Sequence, residues 1–368
     1  MKVIITGVTG QDGSYMAEYL LKNTDHEIVA CVRRTSKFID RNVNHLLQNK
    51  RFKIVNFDLL DPHVVSSTIK REQPDYFINF AAQTFVKDSW DSPVLHFNTN
   101  AVGVLNILEI IRHHAPSCRF YSSGSSEEFG DVEYCPQDEK HPLRPRSPYG
   151  ASKAAARHIV KVYRESYGLY AIQGFLFNHE SPRRQDYFVT RKISKGAARI
   201  NAAIARRVAF EPIELGNLDA KRDWSDARDF VDGVWRMLNQ ETYNEKLKSL
   251  SGDKLINNLK EYVLSSNETH TVREFAEACF DILGIHGYWD GEGVNERYVI
   301  ANYINGIGDV KSEILVKVNP EFYRPAEVNV LLGDSSLARR ELKWEPKSDF
   351  KKLVKDMVEN DLRENRAL

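Results

Sequence analysis

The sequence is poor in cysteine, has no excess charge of either sign, and contains no long apolar run and no low-complexity tract. The four cysteines, Cys31, Cys118, Cys135 and Cys279, are scattered over 368 residues. They make neither a CxxC metal pair nor a dense disulfide framework. Buried or free thiols in a reducing compartment are expected, and no metal site is expected. Lysine plus arginine equals aspartate plus glutamate, at 51 each. Without a global positive field there is nothing to recruit nucleic acid or an anionic membrane, so any anionic ligand has to be held by local basic residues. No run of about eighteen apolar residues is present, and the opening MKVIITG reads as a strand rather than a signal region. A cytoplasmic location is the default expectation.

What is present is an ordinary globular balance, 42% hydrophobic and 28% charged. The first half alternates β-branched runs with amphipathic stretches. Strands are expected at 3–5, 28–30, 53–55, 76–78 and 119–121, with helices over 16–22, 64–71 and 101–112 between them. A long helix at 147–167 and a strand at 170–175 follow. Repeated βα units predict an α/β fold, a Rossmann-type doubly wound parallel sheet with helices on both faces, together with a smaller mixed α/β lobe. The expected division is a cofactor-binding unit of residues 1–175 with a return segment at 211–238, and a substrate lobe of 176–210 and 239–368. Later helices are expected near 190–206, 226–238, 274–283, 335–342 and 351–362, with Thr271 and Glu274 placed to form a capping box. The polar stretch 239–260, rich in Lys and Asn, reads as a surface insertion.

Ligands bind such sheets beyond the carboxyl ends of the strands. The loop after the first strand is Gly7-Val8-Thr9-Gly10-Gln11-Asp12-Gly13. Glycines there permit a tight turn and close backbone approach to a pyrophosphate on the following helix N-terminus. The alternative is a plain glycine turn, but the position after the first strand favours a dinucleotide. At the end of the second strand stand Arg33 and Arg34 in place of the acidic residue that would hold ribose hydroxyls. Guanidinium groups suit a 2′-phosphate, so NADP is the expected cofactor. Asp58 and Leu59 are placed to meet the adenine, and Ala81 and Ala82 to let the cofactor pass close to the backbone.

Tyr149 and Lys153 make a YxxxK pair in SPYGASK, with i,i+4 spacing on one helix face. A neighbouring ammonium is expected to depress the phenol's pKa and make tyrosine a general base. The loop after the fifth strand, SSGSSEEFG, brings Ser125, Ser126 and Glu127 to the same crevice. A serine there suits a substrate hydroxyl, and a carboxylate suits transfer of a carbon-bound proton.

These segments together resemble the extended short-chain dehydrogenase/reductase family and, within it, the GDP-mannose 4,6-dehydratases. The resemblance rests on TGVTGQDGSYMAEYLL (6–21), RPRSPYGASK (144–153), LFNHESPRR (176–184), FVTRKI (188–193), LGNLDAKRDW (215–224) and YRPAEV (323–328). It implies that Ser125 contacts the sugar, that Glu127 is the acid/base glutamate, and that Tyr149 and Lys153 are the oxidoreductase pair. By the same resemblance His179 and Arg184 lie near the cofactor. Asn178, Val189, Lys192, Arg222, Arg324 and Glu327 hold the GDP, with the three basic side chains countering the diphosphate. The implied reaction is C4 oxidation, loss of water across C5 and C6, and hydride return to C6, with the cofactor regenerated in place.

The sequence departs from that pattern after the fourth strand. Thr84 and Phe85 stand where a Ser-His pair is usual, Trp90 where phenylalanine is usual, and Glu128 where an apolar residue is usual. The changes in the loop after the fourth strand face the sugar and nicotinamide and leave open a GDP-manno-heptose substrate as well as GDP-mannose. A non-catalytic NADP-binding scaffold is the alternative of another class, and retention of both Tyr149 and Lys153 weighs against it. The segment TSKFIDRNVN (35–44) is similar to one that links subunits in relatives, so a homodimer or homotetramer is expected.

Overall fold

In Val3-Ile4-Ile5 every side chain is fully buried, with Val3 and Ile5 in one apolar cluster and Ile4 in another. That alternation is what a central strand covered on both faces requires. The computed structural model describes residues 1–33, 41–303, 314–322 and 330–366. Six strands build the main sheet in the first half of the chain: β1 (Lys2–Thr6), β2 (Glu27–Val32), β3 (Phe52–Asn56), β4 (Tyr76–Asn79), β5 (Arg119–Ser123) and β6 (Ala171–Leu176). Their spatial order is 3-2-1-4-5-6, all parallel. The order reverses between β1 and β4, so the loops following those two strands open a crevice at the switch point.

Helix α1 (Gln11–Asn23) packs on one face, and α2 (Pro62–Glu72), α3 (Gly103–His114) and α4 (Pro148–Tyr167) pack on the other. Local signals explain the boundaries. Asp61 caps α2 ahead of Pro62, and Ser147 caps α4 ahead of Pro148, accepting the Gly150 amide at 3.0 Å. Gly168, at φ +66°, ends α4. Helix α3 continues a longer helical stretch, Pro93–His114, in which Asn98–Val102 is a π-turn. By length and composition this stretch would suit a bilayer, but Val104, Ile107, Leu108 and Ile111 are core residues packed against the sheet.

The chain then leaves the sheet. The short strand β7 (Asn178–Glu180), helix α5 (Val189–Arg206), and strands β8 (Ile213–Leu215), β9 (Lys221–Arg222) and β10 (Trp224–Asp226) lead to α6 (Ala227–Met237), which packs against α1. The second lobe has its own core. In it α5, the helix Val272–Ile282 and the C-terminal helix Phe350–Arg366 meet a four-stranded sheet. Thr271 and Glu274 form the expected capping box, each side chain accepting the other's amide at 3.0 Å.

Two expectations change here. The stretch 239–260 is not a surface insertion: Leu247, Leu255 and Leu259 are buried in the main-sheet core, and Gln240 bonds the backbone of Lys260 in both directions. Nor does the lobe begin at 239. Val263–Leu264 forms β11, the seventh strand, parallel to β6, and Leu342 and Trp344 fill the same core.

Candidate active site

Two adjoining cavities lie beyond the carboxyl ends of the strands, of about 720 and 680 Å³. Asp12, Phe80, Thr84, Phe85 and Arg184 line both, so the two are continuous.

The larger is floored by the loop after β1. Gly7 has φ +66°, and a Cβ there would lie 2.8 Å from the Ala81 nitrogen. A Cβ on Gly13 would lie 2.3 Å from the Gly7 carbonyl oxygen. These positions must be glycine for the turn to close against the loop after β4. Gly10 caps α1 without any side-chain hydrogen bond, which leaves the first amides of a 13-residue helix facing the crevice. Thr9, Gln11, Arg33, Asp58, Leu59, Ala81 and Ala82 line this cavity too, with Arg33 exposed at its rim. Arg34 lies outside the described residues.

Asp12 and His179 form a pair at the junction. His179 Nε2 donates to Asp12 Oδ2 at 2.9 Å and Nδ1 donates to the Phe177 carbonyl at 2.7 Å. Burial pulls the imidazole down and pushes the carboxyl up, but the pairing outweighs burial at both groups: His179 is raised and Asp12 lowered.

The second cavity holds the catalytic candidates. Tyr149, in the first turn of α4, and Lys153 both face it, with Lys153 Nζ 6.0 Å from the centre of the Tyr149 ring. That ammonium donates to the Ser123 carbonyl at 2.8 Å, and burial lowers its pKa to about 8. The Tyr149 hydroxyl corrects an expectation. Burial pushes it up, aided by the Glu127 and Glu128 carboxylates, and outweighs the hydrogen bond with Ser125 and the charge of Arg184. Desolvation of the phenolate, rather than the neighbouring ammonium, dominates here. Ser125 caps the turn Ser126–Glu128, accepting the Glu127 amide at 3.2 Å, and Ser125, Ser126 and Glu127 all line the cavity.

At the far end stand Asn178, Val189, Lys192 and Arg222. Val189 opens α5, whose first turn has no side-chain cap. Burial lowers the pKa of Lys192, whose ammonium sits 3.6 Å from the centre of the Phe322 ring. The Asn178 side-chain oxygen is buried and has no hydrogen-bond partner among the described residues. Arg324 and Glu327 lie outside the described residues. Phe85 packs edge-on against Tyr187 and Phe188, making an aromatic wall where the two cavities meet.

The sequence reading missed several supports. Asn100, in the π-turn, accepts the Gln83 amide at 2.9 Å and donates to its carbonyl at 3.0 Å and to Ser152 Oγ at 2.9 Å. It ties the loop after β4 to the helix carrying Tyr149 and Lys153, and with Asn98 and Asn106 in the same helical stretch nothing in the sequence set Asn100 apart. Arg157 and Glu180, both buried, were likewise unmarked.

A doubly wound sheet with a glycine-cradled switch point, and a Tyr-Lys-Ser-Glu cluster in the adjoining cavity, define a nucleotide-sugar dehydratase of the extended short-chain dehydrogenase/reductase class. Comparison with known proteins agrees. The GDP-mannose 4,6 dehydratase family matches residues 4–357. A GDP-mannose 4,6 dehydratase of Drosophila melanogaster is 41% identical over 98% of this chain and 85% of its own length. One of Homo sapiens is 38% identical over 98% and 91%. Among solved structures, a dTDP-glucose 4,6-dehydratase from Streptomyces venezuelae with NAD and TYD bound aligns with a TM-score of 0.77 at 20% identity, covering 100% of this chain and 98% of that one. The chain belongs to the GDP-mannose 4,6-dehydratase family.

Proposed function

We propose that this chain dehydrates GDP-mannose to GDP-4-keto-6-deoxymannose with a tightly held NADP. The carrying observation is the convergence of Tyr149, Lys153, Ser125 and Glu127 on one cavity continuous with the glycine-floored one. That floor fits a dinucleotide: a Cβ at Gly7 or Gly13 would fill it, the α1 amides suit a pyrophosphate, and Arg33 suits a 2′-phosphate. When bound, the cofactor accepts hydride from C4 and returns it to C6. The residues of the chain move the protons. Tyr149, hydrogen-bonded to Ser125, takes the C4 hydroxyl proton as its phenolate, a form that burial alone disfavours and that Lys153 and the cationic nicotinamide ring of a bound NADP would favour. The resulting ketone acidifies the C5 proton, which the Glu127 carboxylate removes. The C6 hydroxyl leaves as water, protonated by Glu127 with Ser125 and Ser126 in support, and the proton taken from the C4 hydroxyl passes from Tyr149 to C5. Lys192, Arg222 and the α5 amides counter the diphosphate, with Arg324 and Glu327 assigned to the GDP from the family pattern.

A GDP-manno-heptose is the second reading, favoured by the Phe85–Tyr187–Phe188 wall. Self-association as a homodimer or homotetramer accompanies the proposal, supported by exposed Val94, Leu95, Phe97, Leu105 and Val162. A cytoplasmic setting is supported by four free cysteines, three of them buried.

The test is mass spectrometry of products from GDP-mannose and from GDP-D-glycero-D-manno-heptose. Loss of one water from mannose supports the proposal, and loss from the heptose alone relocates the substrate. No dehydration of either ends the dehydratase proposal.

A further inference from the structure

Glu128 follows Glu127 in the same turn, yet it is fully buried and outside the cavity. Its carboxylate accepts the Ser125 amide at 2.7 Å, Arg157 Nε at 2.5 Å and Gln173 Nε2 at 3.2 Å. Arg157 stands four residues after Lys153 on α4, and is itself buried. Its remaining donors reach the Gln173 carbonyl at 2.8 Å, the Gly174 carbonyl at 3.1 Å and Glu261 at 2.6 Å. Gln173 Nε2 also donates to the Lys153 carbonyl at 3.0 Å. One buried carboxylate is thereby joined to the backbone of Ser125 directly and to that of Lys153 through Gln173. The packing is close: a Cβ on Gly124 would meet both Arg157 Nη2 and Glu128 Oε1 at 2.6 Å.

Such a network is a poor means of stabilising a fold, because apolar residues of similar volume do as well or better. What an apolar pair does not offer is an acceptor for the Ser125 amide. We infer that Glu128, anchored by Arg157, is a positioning residue that holds the Ser125–Glu127 turn in register with Tyr149 and Lys153. The inference rests on the dehydratase function proposed above. It carries an electrostatic corollary: burial draws the Lys153 ammonium down, and the Glu128 carboxylate acts against it. Removing that charge leaves Lys153 easier to deprotonate.

Two variants of the full-length protein test this. E128Q keeps the size and one acceptor but removes the charge. The double variant E128M/R157M replaces the pair with apolar volume and keeps the protein folded if the first variant fails to fold. The expected result in either is a fall in kcat of at least about tenfold, from misplacement of the reacting groups, while KM stays within about twofold. The alkaline limb of the E128Q profile moves to lower pH. A folded double variant with wild-type kcat, KM and pH profile overturns the inference, since a merely structural residue would change thermal stability alone. Hydrogen exchange of the 122–129 segment reads the positioning without turnover. Faster exchange in the double variant supports the role, and unchanged exchange overturns it. A wild-type protein that dehydrates no GDP-sugar ends the dehydratase proposal instead, and the exchange measurement then decides the role of Glu128 by itself.

Discussion

His179 has acceptors on both ring nitrogens, Asp12 Oδ2 at 2.9 Å and the Phe177 carbonyl at 2.7 Å, which only a doubly protonated ring can satisfy. The pair bridges the glycine loop and β7. Its contribution to stability has two limits. Asp12 is depressed, so its share is present above the ordinary carboxylate range and lost as pH falls through its lowered pKa. His179 is raised, so its share is complete below the ordinary histidine value and lost as pH rises through the elevated one.

Calorimetry across pH is therefore expected to show a plateau in thermal midpoint bounded by these two titrations. In Asp12→Asn the imidazole loses its counter-charge, only the Phe177 carbonyl still opposes burial and the Arg184 charge, and the alkaline decline should shrink. An identical alkaline slope in wild type and variant would remove this pair as its source.

Gly13→Ala places a methyl group 2.3 Å from the Gly7 carbonyl oxygen, a backbone atom with no freedom to yield. The expected cost is about 2 kcal/mol, with loss of dinucleotide binding in equilibrium dialysis. Retained binding at wild-type affinity would show that the loop does not floor the cofactor site.

Arg33, at the rim of the glycine-floored cavity, is the described residue on which the proposed NADP preference rests. Arg33→Ala should weaken NADPH about tenfold and leave NADH almost unchanged, as read by fluorescence titration. Equal losses for both cofactors would assign Arg33 to general binding rather than to the 2′-phosphate.

Leu247 is only 3% exposed within the stretch that reads as a surface insertion. Leu247→Ala is expected to cost about 3 kcal/mol, measured by urea unfolding. A change within experimental error would return 239–260 to the surface.

Legibility followed range along the chain. Strands β1 to β6, the long helix α4 and the Thr271–Glu274 box are decided by residues within a few positions of one another, and all were readable. The leucines of 239–260 are spread through a stretch dominated by Lys, Asn and Ser, so their burial is visible only once the sheet they cover is in place. The pKa of Tyr149 failed for the same reason, since desolvation is a property of the assembled fold. The Glu128–Arg157 contact joins residues with no periodic relation, and only its odd half, a carboxylate where an apolar residue is usual, was visible beforehand.

The seventh strand has a consequence for biosynthesis. A nascent chain that has emerged only through β6 presents that strand as an open, apolar edge, and the residues that close it, Val263–Leu264, are made only after α5 and β8 of the second lobe. The Trp344 indole, which donates to the Asp229 carbonyl at 2.9 Å, arrives later still. The nucleotide-binding half therefore cannot finish folding before most of the other half has been translated. Ribosome-bound intermediates of this chain should be recognised by chaperones at the β6 edge.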